Sequence, residues 1–346
     1  MKKSIIAATL ATMGAAAMPL SGDACTRVEY VGEDSLIVIG RSLDWKTPIP
    51  TNLYVYPRGM KMLGSDQPNP VSWTSKYGAV YAVGYDGGIT EGMNEKGVCI
   101  NGLFCKGTIY NNEESHGKPV ISLAMFVAWL LGQNGSTPEV VDVLKRSDFQ
   151  IQGATFDEGT VSTLHWGITD AEGRSAILEF DKGDVRVYDP DSISAMTNDP
   201  NWPQMSAIVN YWRKIGGIHM LPGTVSSPDR CVRADFFTNR VEKTGDADLG
   251  VSIVRSIMGT VSVPYTYLVP GEPNVSSTQW RSYANLRDKR YYFDIVTNPG
   301  FYYVDLNKVD LSPNGRVLRF DTSIHKDVVG DVTKLFEASE PFKPMY

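Results

Sequence analysis

Apolar residues in this chain come mostly in short runs cut by four-residue polar turns, a punctuation that closes antiparallel hairpins and leaves little room for the crossovers of a parallel sheet. Thr26–Tyr30 and Leu36–Leu43 are β-rich and split by Gly32-Glu33-Asp34-Ser35. Asn52–Tyr56, Ala79–Val83 and Val98–Phe104 follow, the last preceded by the turn Asn94-Glu95-Lys96-Gly97. Val120–Leu131 is nearly continuously apolar, which is long for a strand and short for a bilayer, and it predicts a buried helix. Ser136-Thr137-Pro138-Glu139 opens a second helix with a capping residue, a first-turn proline and an acid at the positive end. Strands resume at Ser162–Thr169, Ser175–Phe180 and Val185–Tyr188, separated by Asp170-Ala171-Glu172-Gly173 and Asp181-Lys182-Gly183-Asp184. Helical periodicity covers about Gln204–Ile215, Arg230–Val241 and Asp248–Met258. Trp280–Asp288, Arg290–Thr297 and Phe301–Asp305 read as strands. This block order predicts an α+β layered domain with antiparallel sheet.

The first residues read as a processing signal. Met1, Lys2 and Lys3 form a positive head, Ile5–Leu20 is an alanine-rich apolar run, and Gly22 and Ala24 are the small residues a signal peptidase accepts. Cleavage falls before Cys25, giving a leader over residues 1–24 and a single domain over 25–346. No later stretch approaches the roughly 20 apolar residues of a membrane span, so no stable membrane insertion is expected. With 346 residues, 42% of them hydrophobic, the chain can bury a full core, and a formal charge of −6 offers nucleic acid no basic field.

A cysteine directly after a leader is also where bacterial lipoproteins are acylated, so a lipid-anchored binding protein is the rival reading. Gly22 stands where that signal wants a leucine-like residue, and Asp23 is charged. The other reading makes Cys25 a nucleophile. A thiol at a chain start has a base in its own α-amine, with an ordinary pKa of about 7.7 to 8.0, so no histidine is needed. His116, His165, His219 and His325 lie in no cysteine–histidine signature and read as ordinary core or surface residues. No closely spaced His/Cys set suits zinc, so no metal is expected. Cys99, Cys105 and Cys231 read as buried free thiols.

In Gly40-Arg41-Ser42-Leu43-Asp44-Trp45, hairpin pairing returns Arg41 and Asp44 toward Cys25. Arg41 would favour thiolate, and Asp44 would orient the amine. Two dense polar clusters follow, Met196-Thr197-Asn198-Asp199-Pro200-Asn201-Trp202-Pro203 and Leu221–Arg230. From these, Asn198 can supply an amide N–H to an oxyanion and Arg230 can anchor the site.

Six collinear segments resemble the choloylglycine hydrolases, N-terminal-nucleophile enzymes that include penicillin V acylases and conjugated bile salt hydrolases. They are Cys25-Thr26-Arg27, Gly40–Trp45, Gly92-Met93-Asn94-Glu95-Lys96-Gly97, Leu164-His165-Trp166, Met196–Pro200 and Ser226-Ser227-Pro228-Asp229-Arg230. The resemblance implies a four-layer αββα sandwich, no cofactor, and a catalytic set at Cys25, Arg41, Asp44, Asn198 and Arg230. Asn101 lies near a further family position, but alignment through Gly102-Leu103 puts Phe104 where these enzymes often carry asparagine or tyrosine. The Phe104 backbone N–H is the candidate second oxyanion donor. Trp45, Tyr85, Phe104 and Trp202 are candidates for an acyl pocket. The substrate implied is a small acyl amide, with penicillin V first and conjugated bile acids or N-acyl homoserine lactones as alternatives. An acid ceramidase-like or acyltransfer enzyme on the same fold is a further rival. The leader likens the chain to the exported Gram-negative branch, which implies a periplasmic or secreted protein. A homo-oligomer, with a tetramer favoured, is the expected assembly.

Overall fold

The computed structural model describes residues 24–156, 159–190, 193–270 and 276–346. Of the predicted leader, residues 1–23 lie outside the described residues. Two large sheets dominate. The first, of seven strands among the described residues, holds the hairpin β1 (Thr26–Val31) and β2 (Ile37–Trp45), flanked by Ala195–Met196 on one side. On the other side Ser277–Asn285, Arg290–Ile295, Phe301–Asp305 and Val329–Asp331 follow in order. The second, of nine strands, runs from Asp184–Tyr188 through Ser175–Asp181, Leu164–Thr169, Cys99–Phe104, Gly88–Asn94, Ala79–Gly84 and Thr51–Tyr56 to two short edge strands.

Pairing within both sheets is antiparallel, except that the edge strand Val329–Asp331 runs parallel to its neighbour. Short turns make the antiparallel ladders. In the first hairpin, Asp34 and Ser35 take left-handed φ values of 49° and 59°, and the Leu36 N–H closes the turn on the Glu33 carbonyl at 2.9 Å.

The sheets are buried on both faces, and each face has its own apolar cluster. Between them, Ile37, Ile39 and Leu43 of the first pack with Leu53, Val55 and Val80 of the second. Outside the second sheet, α1 (Leu123–Gln133) and α2 (Thr137–Arg146) cover Tyr54, Tyr56 and Ile100 with Phe126, Leu130 and Leu144. Outside the first, α3 (Trp202–Ile215), α4 (Ser227–Thr238) and α5 (Ala247–Val261) cover Val28, Tyr30 and Val38 with Met205, Val232 and Val254. The result is the expected αββα stack, in which a sheet sandwiched between a sheet and helices can be apolar on both sides.

Three local expectations are corrected. The helix predicted from Val120 begins at Leu123, because Val120–Ser122 is a short strand pairing in parallel with Gln150–Gln152. Gly88–Asn94, unread as a strand, lies in the middle of the second sheet. α3 and α4 start at Trp202 and Ser227, where Pro203 and Pro228 occupy their first turns. Among the described residues, no helix is long and apolar enough to cross a membrane.

Candidate active site

Strand register decides which side chains meet. β1 and β2 pair Thr26 with Ser42 and Arg27 with Arg41. Because faces alternate along a strand, Cys25 and Arg41 project toward the second sheet, while Thr26 faces the helices on the other side. The first orientation brings the Arg41 Nη2 to 3.7 Å from the Cys25 Sγ and to 2.8 Å from the Gly102 carbonyl. The second lets α4 reach in. Arg230 donates from Nη1 to the Cys25 carbonyl at 2.7 Å and to the Thr26 hydroxyl at 2.5 Å.

Asn198 follows Ala195–Met196, which pairs with Val28 and Arg27 of β1. Its Oδ1 accepts from the Cys25 N–H at 2.7 Å and from Arg230 Nη2 at 2.8 Å. Its Nδ2 donates to the Phe104 carbonyl at 2.8 Å. Phe104 ends its strand. Its neighbour Cys105 donates to the Thr163 carbonyl just before the adjacent strand, and the Phe104 carbonyl accepts from Asn198. The predicted set is thus drawn from the residue before β1 (Cys25), from β2 (Arg41, Asp44), from a loop (Asn198) and from a helix (Arg230) into one buried cluster.

Charges in this cluster are held out of water. Burial pushes the Asp44 carboxyl up to about 6, against the pull of Arg230, the Thr278 hydroxyl, Arg41 and Ser42. Its Oδ1 makes no well-formed hydrogen bond. Burial also draws the Arg230 guanidinium below its usual range, which Asp44 and Cys25 oppose. Arg41 is steadied by Glu91, whose Oε2 lies 3.1 Å from its Nε, and by the Trp280 ring 4.7 Å away. Glu91 in turn accepts from the Tyr291 hydroxyl at 2.6 Å and from Ser282. Sequence reading missed Glu91. It stands just before the motif that begins at Gly92, and only the sheet pairing shows that it points at Arg41.

A cleft opens above Cys25 with an empty volume of about 810 Å³, its mouth included. Leu43, Trp45, Ile49, Ile89, Phe104 and Leu123 make its walls apolar, and Cys25 and Asp44 lie at its polar end. Trp45 and Phe104 form a tilted ring pair 5.6 Å apart. Of the four predicted pocket residues, Trp45, Tyr85 and Phe104 line this cleft and Trp202 does not. Trp202 begins α3 instead, where its N–H donates to Glu179 at 2.8 Å, and it lines a separate small void with His165 and Asn198. There the half-buried indole packs against the small cluster of Cys25, Leu103, Ile177, Ile193 and Met196. Asn101 serves the core, accepting from Arg27 Nε at 2.9 Å.

Cys99, Cys105 and Cys231 are free and buried, as expected. Among the described residues no group of three or more His, Cys, Asp or Glu side chains converges in a metal-binding cluster.

A buried cysteine beside two guanidinium groups at a strand start, an αββα stack and an apolar cleft fit a hydrolase class, and comparison with known proteins agrees. The profile of the linear amide C–N hydrolases of the choloylglycine hydrolase family matches residues 25–323. The chain is 31% identical to penicillin V acylase of Pectobacterium atrosepticum over 348 residues, covering 92% of both chains. It is 27% identical to a bile salt hydrolase/transferase of Clostridium perfringens, covering 84% of this chain and 94% of that one. The solved structure of penicillin V acylase from Agrobacterium tumefaciens superposes with a TM-score of 0.85 at 37% identity, covering 92% of this chain and 99% of that one. The chain belongs to the choloylglycine hydrolase family and is a hydrolase of linear amide C–N bonds.

Proposed function

We propose that this chain is an exported penicillin V acylase-type enzyme whose nucleophile is Cys25, freed as the amino terminus when the leader is removed. The observation that carries the reading is the convergence of Arg41, Asn198 and Arg230 on Cys25 at the polar end of an apolar cleft. The free α-amine takes the thiol proton, and Arg41 stabilises the thiolate it leaves. The sulfur attacks the amide carbon. The oxyanion is held by Asn198 Nδ2, which leaves the Phe104 carbonyl for it, and by the Phe104 N–H. The C–N bond breaks as the α-ammonium returns its proton to the departing amine. Water then adds to the thioester with the α-amine as base, releasing the acid and the thiol. Asp44 offers its unpaired Oδ1 to orient the amine.

Uncharged aromatic and aliphatic walls favour an aryl or fatty acyl group, and the tilted Trp45–Phe104 pair suits a phenoxyacetyl ring. Conjugated bile acids are the second reading, favoured by the relative that carries that activity. Burial of the Cys25 N–H against Asn198 speaks against lipidation there. The mature protein is expected to release the β-lactam amine from penicillin V faster than it cleaves a glycine-conjugated bile acid or a long-chain acyl homoserine lactone. Mass spectrometry of the natural amino terminus and loss of turnover in Cys25→Ala complete the test. Equal turnover by Cys25→Ala, or a diacylglyceryl group on Cys25, refutes the reading.

A further inference from the structure

One wall of the cleft comes from a part of the chain far from the reacting thiol. The turn Gly84-Tyr85-Asp86-Gly87-Gly88 joins two central strands of the second sheet, and on its flank the wall is bare backbone at Gly84, Gly87 and Gly88. Met345 fills the space that a side chain at Gly87 would take. An atom placed at the Cβ position of Gly87 would stand 2.5 Å from the Met345 Cγ and 2.8 Å from its Cε, so glycine and methionine are fitted to one another.

Both partners are fixed. The Met345 N–H donates to the Gly87 carbonyl at 2.8 Å. Three residues earlier, Phe342 is buried between the Tyr54 and Tyr56 rings, and its N–H donates to the Tyr56 hydroxyl at 3.1 Å. The turn itself carries Tyr85 and Asp86 at left-handed φ values of 54° and 47°, which is costly for a bulky residue unless the surroundings impose it. They do: Asp86 accepts from Asn52 Nδ2 at 2.9 Å, from the Tyr54 hydroxyl at 3.2 Å and from Arg319 Nη2 at 2.9 Å. Segment 342–346 is therefore pinned in the core at Phe342 and at the cleft wall at Met345, and the side chain between bare backbone and solvent is a flexible thioether.

We propose that Met345 is a specificity-determining residue, setting the room available to the far end of the acyl group. This rests on the reading that the apolar cleft takes the acyl group. An unbranched thioether adapts to several acyl shapes while still limiting length and bulk.

The test uses the mature enzyme with butanoyl and dodecanoyl p-nitroanilides, for wild type, Met345→Ala and Met345→Phe. The ratio of dodecanoyl to butanoyl kcat/KM is expected to rise about ten-fold in Met345→Ala and to fall about ten-fold in Met345→Phe, the range a change of a few methylenes gives in an apolar pocket. Met345 is 39% exposed, so neither substitution removes a core side chain, and thermal melting confirms the fold. A ratio that stays within about two-fold in both variants, or moves the same way in both, overturns the assignment. A wild type that cleaves neither anilide nor penicillin V refutes the acyl-cleft reading itself, which separates the two failures.

Discussion

The side-chain oxygen of Asn198 lies 2.7 Å from the backbone nitrogen of Cys25, and the other end of the same amide donates to Phe104. Both partners of Oδ1 are donors and the partner of Nδ2 is a carbonyl, so the hydrogen-bond network fixes the orientation of the amide. One residue thus links Cys25 to Phe104, the proposed nucleophile to the proposed oxyanion site. Asn198→Ala is expected to lower kcat by about 10²–10³-fold with a smaller change in KM, the usual cost of one oxyanion donor. Steady-state kinetics on penicillin V measure it, and a loss below ten-fold removes Asn198 from that role.

Asp44 is held up near 6 by burial from a reference value of 3.8. Because the folded state binds this proton more tightly than the unfolded chain, the carboxyl's contribution to stability is full below about pH 3.8 and lost as pH rises through about 6. At neutral pH the ionised group costs about 2–3 kcal/mol. Asp44→Asn is therefore expected to be more stable than wild type at pH 8, no more stable at pH 4, and far less active. Urea denaturation at the two pH values decides it, and a gain that is equal at both contradicts burial of the charge as its cause.

Glu91 and Arg41 are both almost fully buried and lie 3.1 Å apart. Removing one member of such a pair leaves the other charge stranded, at a cost of about 3–5 kcal/mol. Glu91→Ala is expected to lose stability on that scale and to lose activity with it, since Arg41 then loses its charged partner and keeps only the Gly102 carbonyl and the Trp280 ring. Glu91→Gln keeps an acceptor for Tyr291 and should lose less of both. Equal losses in the two variants, by chemical denaturation and kinetics, would falsify the anchoring role.

Burial pushes the Cys99, Cys105 and Cys231 thiols up to about 12, which leaves them without thiolate at pH 8. Cys25 alone opens onto the cleft. One equivalent of iodoacetamide is expected to label the folded protein, at Cys25, whereas all four cysteines react in guanidinium. Two or more labelled sites in the folded state would show that a second thiol is accessible.

Much of this was legible in the residues. Turn quartets such as Gly32–Ser35 and Asp181–Asp184 mark hairpins because they bring their own left-handed or small residues, so the antiparallel ladders could be placed from local chemistry. The candidate cluster of Cys25, Arg41, Asp44, Asn198 and Arg230 was legible because its members sit in recognisable segments. What escaped depends on distant packing. Val120–Ser122 is as apolar as the helix after it, and periodicity cannot separate a buried strand from a buried helix turn. Gly88–Asn94 carries two glycines and an acid, a poor strand by composition, yet a Cβ at Gly92 would stand 2.5 Å from the Val80 carbonyl, so the sheet needs glycine there. Trp202 looked like a pocket residue because it is aromatic and near Asn198. Its helix turns it the other way.

His165 read as an ordinary core or surface histidine; it is buried, and its contacts tie it to the residues around Asn198. Its Nε2 lies 2.7 Å from the Thr197 carbonyl, which can only accept, so that nitrogen carries hydrogen. Its Nδ1 faces Glu179 Oε1 at 3.2 Å, and the same oxygen takes the Trp202 N–H at 2.8 Å. One buried pair therefore grips the chain on both sides of Asn198, at Thr197 and at Trp202. His165→Leu strips the Thr197 carbonyl of its donor and leaves Glu179 without its ring partner, and it is expected to destabilise by about 2–4 kcal/mol. Loss of position at Asn198 should then lower kcat more than it raises KM, because the oxyanion is bound only in the transition state. His165→Gln, which can still donate to Thr197, should recover part of kcat. The comparison discriminates positioning from bulk stability: if kcat in both variants simply follows the fraction folded, His165 serves the core alone.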